Sequence, residues 1–193
     1  MSGGYFSNAG VFLIQTVFGM YILAVLLRLL LQIVRADFYN PFSQFLVKIT
    51  NPVLVPLRRV IPGLFGVDLA SVLLLLALQM VKLALIGLLI DQGWHLSGLL
   101  LLAAADLLSL LLNVFLFSIL IQVILSWVRP GEHNPLTALL YNLNEPLLAP
   151  ARRILPPISG LDLSPIVVLV ALQLASMLVV APLSDLGRAF ALG

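Results

Sequence analysis

The stretch NPFSQFLVKITNPVLVPLRRVIPGLFGVD, residues 40–68, returns 94 residues later as NPLTALLYNLNEPLLAPARRILPPISGLD, residues 134–162. The copies agree on polar and turn residues more than on leucine. Asn40-Pro41 returns as Asn134-Pro135, Pro52 and Pro56 as Pro146 and Pro150, and Arg58-Arg59 as Arg152-Arg153. Pro62, Gly66 and Asp68 return as Pro156, Gly160 and Asp162. Further out, Arg35 matches Arg129, Gln79 matches Gln173, and Asp91 and Gly93 match Asp185 and Gly187. Between 35–68 and 129–162, 12 of 34 positions are identical, and coincidence among leucines does not produce a matched set of Pro, Arg, Asn and Asp. The chain is a tandem duplication, with a first repeat over 1–98 and a second over 99–193.

The sequence around these stretches is apolar. Hydrophobic residues make up 62% of the chain and charged residues 9%, too few charges to cover a water-soluble fold. A helix needs about 20 apolar residues to cross the hydrocarbon core. The reading is an all-α membrane protein with four transmembrane helices, at roughly 11–34, 69–90, 104–128 and 164–184. The third helix starts either near 99 or near 104, which changes the depth of Asp106. Residues 1–10 carry no Lys or Arg and so lack the basic region of a secretory signal peptide; the first apolar segment is expected to stay as a helix. Each repeat crosses twice and returns to its starting side, so the two repeats are expected to run parallel about an axis along the membrane normal.

Charge placement sets the expected orientation. Seven of the ten basic residues (Arg35, Lys48, Arg58, Arg59, Arg129, Arg152 and Arg153) lie in the loops 35–68 and 129–162. By the positive-inside rule the loops face the cytoplasm and both termini the opposite side. The net charge of +2 is too small to suggest nucleic acid, and the absence of cysteine excludes disulfides and thiolate chemistry.

Each loop reads as two short amphipathic, proline-rich helices in the membrane interface. Asn40-Pro41 and Asn134-Pro135 pair an N-cap with Pro at the first helical position. Phe42, Phe45, Leu46 and Ile49 then share one face, as do Leu136, Leu139, Leu140 and Leu143 in the second copy. Asn51-Pro52 reads as a second capped start, with a kink expected near Pro56. The rival reading is a shallow re-entrant hairpin, which needs protein or water around its non-helical backbone. Asp68 and Asp162 open the helices that follow, as N-caps favoured by the helix dipole. A tie from the arginine pair to each Asp is plausible at this spacing.

Several residues are candidates for function. Arg58, Arg59, Arg152 and Arg153 either hold the loops on the cytoplasmic side and bind anionic headgroups loosely, or form a surface for a lipid phosphate or an acidic partner. Arg28 lies near the cytoplasmic end of its helix and can snorkel. Lys82 and Asp106 lie within spanning helices, where charges are costly; they can pair, as a structural tie or as part of a polar pathway. Ser176 and Phe12 stand at their repeat-equivalent positions, which disfavours a symmetric pore lined by these charges. Gln79 and Gln173 match across the repeat, as interhelical hydrogen-bonding groups or as a hydrated site on the axis near Gln15, Asn113 and Gln122. His95 and His133 fall on opposite sides of the membrane and cannot share a metal. With no nucleophile–base constellation, metal-ligand set or phosphate-cradling Gly loop in the sequence, neither enzymatic activity nor a cofactor is expected.

The spacing NP-x10-P-x3-P-x-RR-x2-P-x3-G-x-D, present at 40–68 and 134–162, resembles the signature of the YggT family of bacterial integral membrane proteins, in its double-repeat form. The first copy has Leu69-Ala70-Ser71 where the second has Leu163-Ser164-Pro165, which is closer to the family pattern. The resemblance implies the bacterial inner membrane. It also implies roles linked among relatives to osmotic-stress tolerance, potassium uptake, cell division and nucleoid placement, and in plastids to covalent haem attachment to a cytochrome. The leading expectation is a non-enzymatic accessory or assembly factor. It docks anionic lipids, a membrane-protein partner or a second copy through its loops. An ion pathway in osmotic adaptation is the alternative, followed by cytochrome maturation or cell division.

Overall fold

The computed structural model describes residues 3–63, 68–128, 134–155 and 162–192. Gly66, Arg129, His133, Pro156 and Gly160, named above, lie outside them. The elements are α1 (Gly3–Ile33), α2 (Pro41–Val60), α3 (Leu69–Leu89), α4 (Leu96–Val128), α5 (Pro135–Ile154) and α6 (Ser164–Ala175). A π-helical turn (Ser176–Val180) then leads into α7 (Ala181–Leu192). Long leucine-rich runs form helices because a helix satisfies every backbone polar group within its own segment. Among the described residues, four stretches are long and apolar enough to cross a membrane: Gly4–Ile33, Leu69–Leu89, Leu96–Val128 and Ser164–Ala191.

The duplication is visible in the packing. Val25, Leu54 and Leu74 are buried in one cluster, and their equivalents 94 residues on, Ile119, Leu148 and Val168, are buried in a second. The repeats share a direction. Leu31 and Leu46 of the first repeat and Leu139 of the second form one buried cluster at the loop end. There the Asn40 amide donates to the Pro135 carbonyl at 2.7 Å. At the far end, the Ser7 hydroxyl donates to the Leu89 carbonyl, and the His95 N–H to the Ala191 carbonyl.

Four expectations are corrected. Each loop carries one continuous 20-residue helix, not two short ones, so Asn51-Pro52 is no helix start. Ser43, Leu46, Thr50 and Leu54 make one buried stripe that runs in helical phase past both prolines. The rings of Pro52 and Pro56, like those of Pro146 and Pro150, lie on the exposed face, where the carbonyls left without an N–H partner stay accessible. Burial along the stripe thus outweighs the local proline cost.

The first helix starts at Gly3 instead of near 11, with Ser7 fastening the added turns to α3. The third starts at Leu96, braced by His95 on Ala191, so Asp106 sits well inside it rather than near its end. The fourth continues past 184 to Leu192. Pro182, which would end a regular helix, is accommodated because the turn just before it widens and the Ala181 N–H reaches back five residues to the Ser176 carbonyl.

Candidate functional site

The motif residues gather on the loop side of the bundle. The Asn40 and Asn134 side chains accept from the N–H groups of Phe42 and Leu136, and Pro41 and Pro135 occupy the first helical positions. These caps start α2 and α5 at equivalent residues. Both helices then carry their arginine pair in the last turn, where the negative end of the helix dipole favours it.

Within each pair the two arginines have different jobs. Arg58 donates from Nε at 3.0 Å and Nη2 at 2.5 Å to Asp68 Oδ2. Arg152 Nε donates to Asp162 Oδ2 at 3.0 Å, and its Nη1 reaches both Glu145 oxygens. The tie from loop helix to following helix is therefore present in both repeats. Arg59 and Arg153 are exposed.

The aspartates do not cap alike. Asp68 is buried at the N-cap position, yet its carboxylate accepts from the Arg58 and Ser71 side chains instead of making a capping bond. Asp162 stands one residue before the N-cap and accepts from the Ser164 N–H at 2.9 Å. Burial works against the charged form of Asp68, but the hydrogen bonds from Arg58 and Ser71 outweigh it and hold this carboxyl below the usual carboxylate range. Asp162 is lowered in the same way: burial opposes its charge, and Ser164 and Arg152 overcome it.

A second matched tie lies deeper, and the sequence reading missed it. Arg28 is only 8% exposed and donates from Nη1 to the Thr50 hydroxyl at 2.6 Å, joining α1 to α2. The equivalent residues in the second repeat, Gln122 and Asn144, are also buried and bonded, Asn144 Nδ2 to Gln122 Oε1 at 2.7 Å. Ser118 completes this neutral set by donating to Asn144 Oδ1, whereas Ala24 stands at its place in the first repeat. The signal was available: both pairs are polar positions 94 residues apart within apolar surroundings, but they differ in residue type.

The intramembrane candidates separate. Gln79, 3% exposed, donates to Asp106 Oδ2 at 2.5 Å, and Lys82 Nζ lies 4.0 Å from the same oxygen. These contacts join α3 of the first repeat to α4 of the second. Gln173 is exposed on the outside of α6, so the matched glutamines do not share a site on the axis. Gln15 and Asn113 are exposed as well, and Gln122 belongs to the α4–α5 tie. The apparent symmetry of Gln79 and Gln173 in sequence is undone by helix rotation, which buries one and exposes the other.

The CCB3/YggT family profile matches residues 7–89 and again 101–183, two copies at the spacing of the repeat. An uncharacterised protein of Pseudomonas aeruginosa is 48% identical over 178 residues, covering 90% of this chain and 89% of its own length. An uncharacterised protein of Vibrio alginolyticus is 44% identical over 173 residues, covering 89% and 93%. The uncharacterised protein YggT of Escherichia coli K12 is 38% identical over 184 residues, covering 94% of each. No solved structure gives a significant match.

Proposed function

Because the chain belongs to the CCB3/YggT family, we propose that this multi-pass membrane protein is a non-enzymatic accessory or assembly factor of the bacterial inner membrane. Its paired loop helices dock a membrane-protein partner or anionic lipids on the cytoplasmic side. The observation that carries this reading is the division of labour within the arginine pairs. Arg58 and Arg152 fix α2 and α5 to the bundle, and Arg59 and Arg153 point outward from the same position of each copy. The exposed side of these helices also carries Phe42, Phe45, Val53 and Tyr141 beside Lys48, the mix of apolar and basic groups that suits the headgroup layer. The charge asymmetry of the chain supports the orientation.

The test is photo-crosslinking in cells followed by mass spectrometry, comparing the native chain with Arg59→Gln/Arg153→Gln. Loss of specific cross-linked partners, with insertion and melting unchanged, is the expected result. An unchanged set of partners sinks the proposal.

A second reading, an ion pathway serving osmotic adaptation, draws on one observation. The Asp106 side chain is 42% exposed within an apolar helix and is held by Gln79 and Lys82, and an ionisable group within a spanning helix is costly and so a candidate for function. Potassium flux into proteoliposomes that stops on Asp106→Asn would favour it. Absence of flux from the native protein would remove it.

A further inference from the structure

On the loop side of the first repeat, the last turns of α1, the first half of α2 and Arg58 from the last turn of α2 line a half-open cleft of about 350 Å³, within the usual range for a small-molecule site. It is lined by three arginines, Arg28, Arg35 and Arg58, together with Gln32, Phe38 and Ser43. Asp68 neutralises Arg58. Arg28 gives its hydrogen bond to a neutral hydroxyl, that of Thr50, so its charge is not offset there. The wall therefore holds more positive charge than these contacts balance.

Two further features point to a ligand. Ser43 lines the cleft and is 7% exposed, and its buried hydroxyl has no hydrogen-bond partner. A buried hydroxyl left in this way is costly until an acceptor arrives. Arg35 takes a left-handed backbone, φ 52°, at the end of α1, with the Arg35 N–H on the Gln32 carbonyl and the Ala36 N–H on the Leu31 carbonyl. Glycine fills this position at the least conformational cost. The chain instead places a guanidinium there, on the cleft wall.

We propose that this cleft binds a phosphate-bearing anion, with Arg28, Arg35 and Arg58 as its cationic wall and the Ser43 hydroxyl as a further donor. Guanidinium forks suit phosphate oxygens, and basic pockets beside spanning helices suit phospholipid headgroups. The second repeat replaces the central charge with the neutral Gln122–Asn144 tie. Among the described residues, the buried charge of Arg28 is thus a feature of the first repeat. The site stands apart from docking through Arg59 and Arg153, and either can fail without the other.

The test uses the full-length protein in detergent, with phosphatidylglycerol, phosphatidylcholine and inorganic phosphate as probes. Native mass spectrometry measures lipid retention, and thermal melting measures stabilisation by inorganic phosphate. Two variants separate binding from folding. Arg35→Gly removes a guanidinium while easing the backbone. The triple variant Ala24→Ser/Arg28→Gln/Thr50→Asn transplants the neutral set of the second repeat. Preferential retention of phosphatidylglycerol, reduced at least about tenfold in both variants with Arg35→Gly melting no lower than the native chain, supports a lipid headgroup. Saturable stabilisation by inorganic phosphate, lost in the same variants without lipid preference, supports a soluble phosphate. The proposal is overturned if neither probe binds. It is equally overturned if binding survives both variants, including the case in which only Arg59→Gln/Arg153→Gln abolishes it.

Discussion

Asp68 and Asp162 are one residue of the repeated unit in two settings, and their difference is measurable. The Asp68 side chain is 6% exposed and that of Asp162 38%. Removing one member of a buried pair strands the other, whereas a solvated pair contributes little. Asp68→Asn should lower stability by about 2–3 kcal/mol, allowing for the partial exposure of Arg58, and Asp162→Asn by about 0.5–1 kcal/mol. Denaturation in mixed detergent micelles checks both. The pH response follows from the lowered titration of Asp68. A carboxyl depressed on folding adds stability that is fully present above its unfolded value, about 3.9, and lost as pH falls through the folded value. Melting should therefore begin to drop as pH falls below about 4 and keep dropping towards the folded value, with a shallower drop in Asp68→Asn; equal slopes would refute the assignment. The Arg–Asp ties were legible in the sequence because spacing and charge both pointed to them. The Arg28–Thr50 tie was marked only by its polar counterpart 94 residues on, a signal masked by the change of residue type, and a lone arginine near a helix end looks the same whether it reaches water or a neighbouring helix.

At the scale of elements, proline is the instructive case. Read locally, Asn51-Pro52 is a helix start; in the fold, α2 runs through it because the buried stripe continues. Propensity describes one turn, and the stripe belongs to the whole helix. Since the rings are exposed, and within the helix each removes a hydrogen bond and crowds the carbonyl four residues back, Pro52→Ala and Pro56→Ala should each raise stability by about 1 kcal/mol or more, after allowing for the freer unfolded chain. A loss would show that the rings make contacts of their own. The close approach of α4 and α7 gives the opposite expectation. A Cβ on Gly98 would lie 2.1 Å from the Ala191 backbone nitrogen, and backbone cannot swing aside. Gly98→Leu should cost about 1–3 kcal/mol and separate these helices, read as lower melting and weaker cross-linking between them. This contact has no signature in the sequence, since closeness between helices distant in sequence leaves no local pattern.

For the whole molecule, the duplication and the positions of the polar loops were enough to anticipate two repeats running the same way. The caps and arginine pairs recur at one offset, and two crossings restore direction. The arrangement can be checked cleanly because the chain has no cysteine. Paired substitutions Asn40→Cys/Leu136→Cys should react with a short bifunctional reagent within one chain, whereas Asn40→Cys/His95→Cys, at opposite ends, should not. Depth and rotation were harder to foresee. Asp106 lies further from its helix end than expected, and Gln173 faces outward, because uniformly apolar helices carry little record of which face is buried. The two forms of the deep tie also imply a route by which they diverged. Arginine beside threonine and glutamine beside asparagine are alternative fillings of one position pair. The mixed pairs can bond too: arginine donates to an asparagine oxygen, and threonine donates to a glutamine oxygen. A lineage could therefore pass from one filling to the other in single steps, keeping a hydrogen bond across the joint throughout. With two copies in one chain, the charge of one half can change while the other keeps its own.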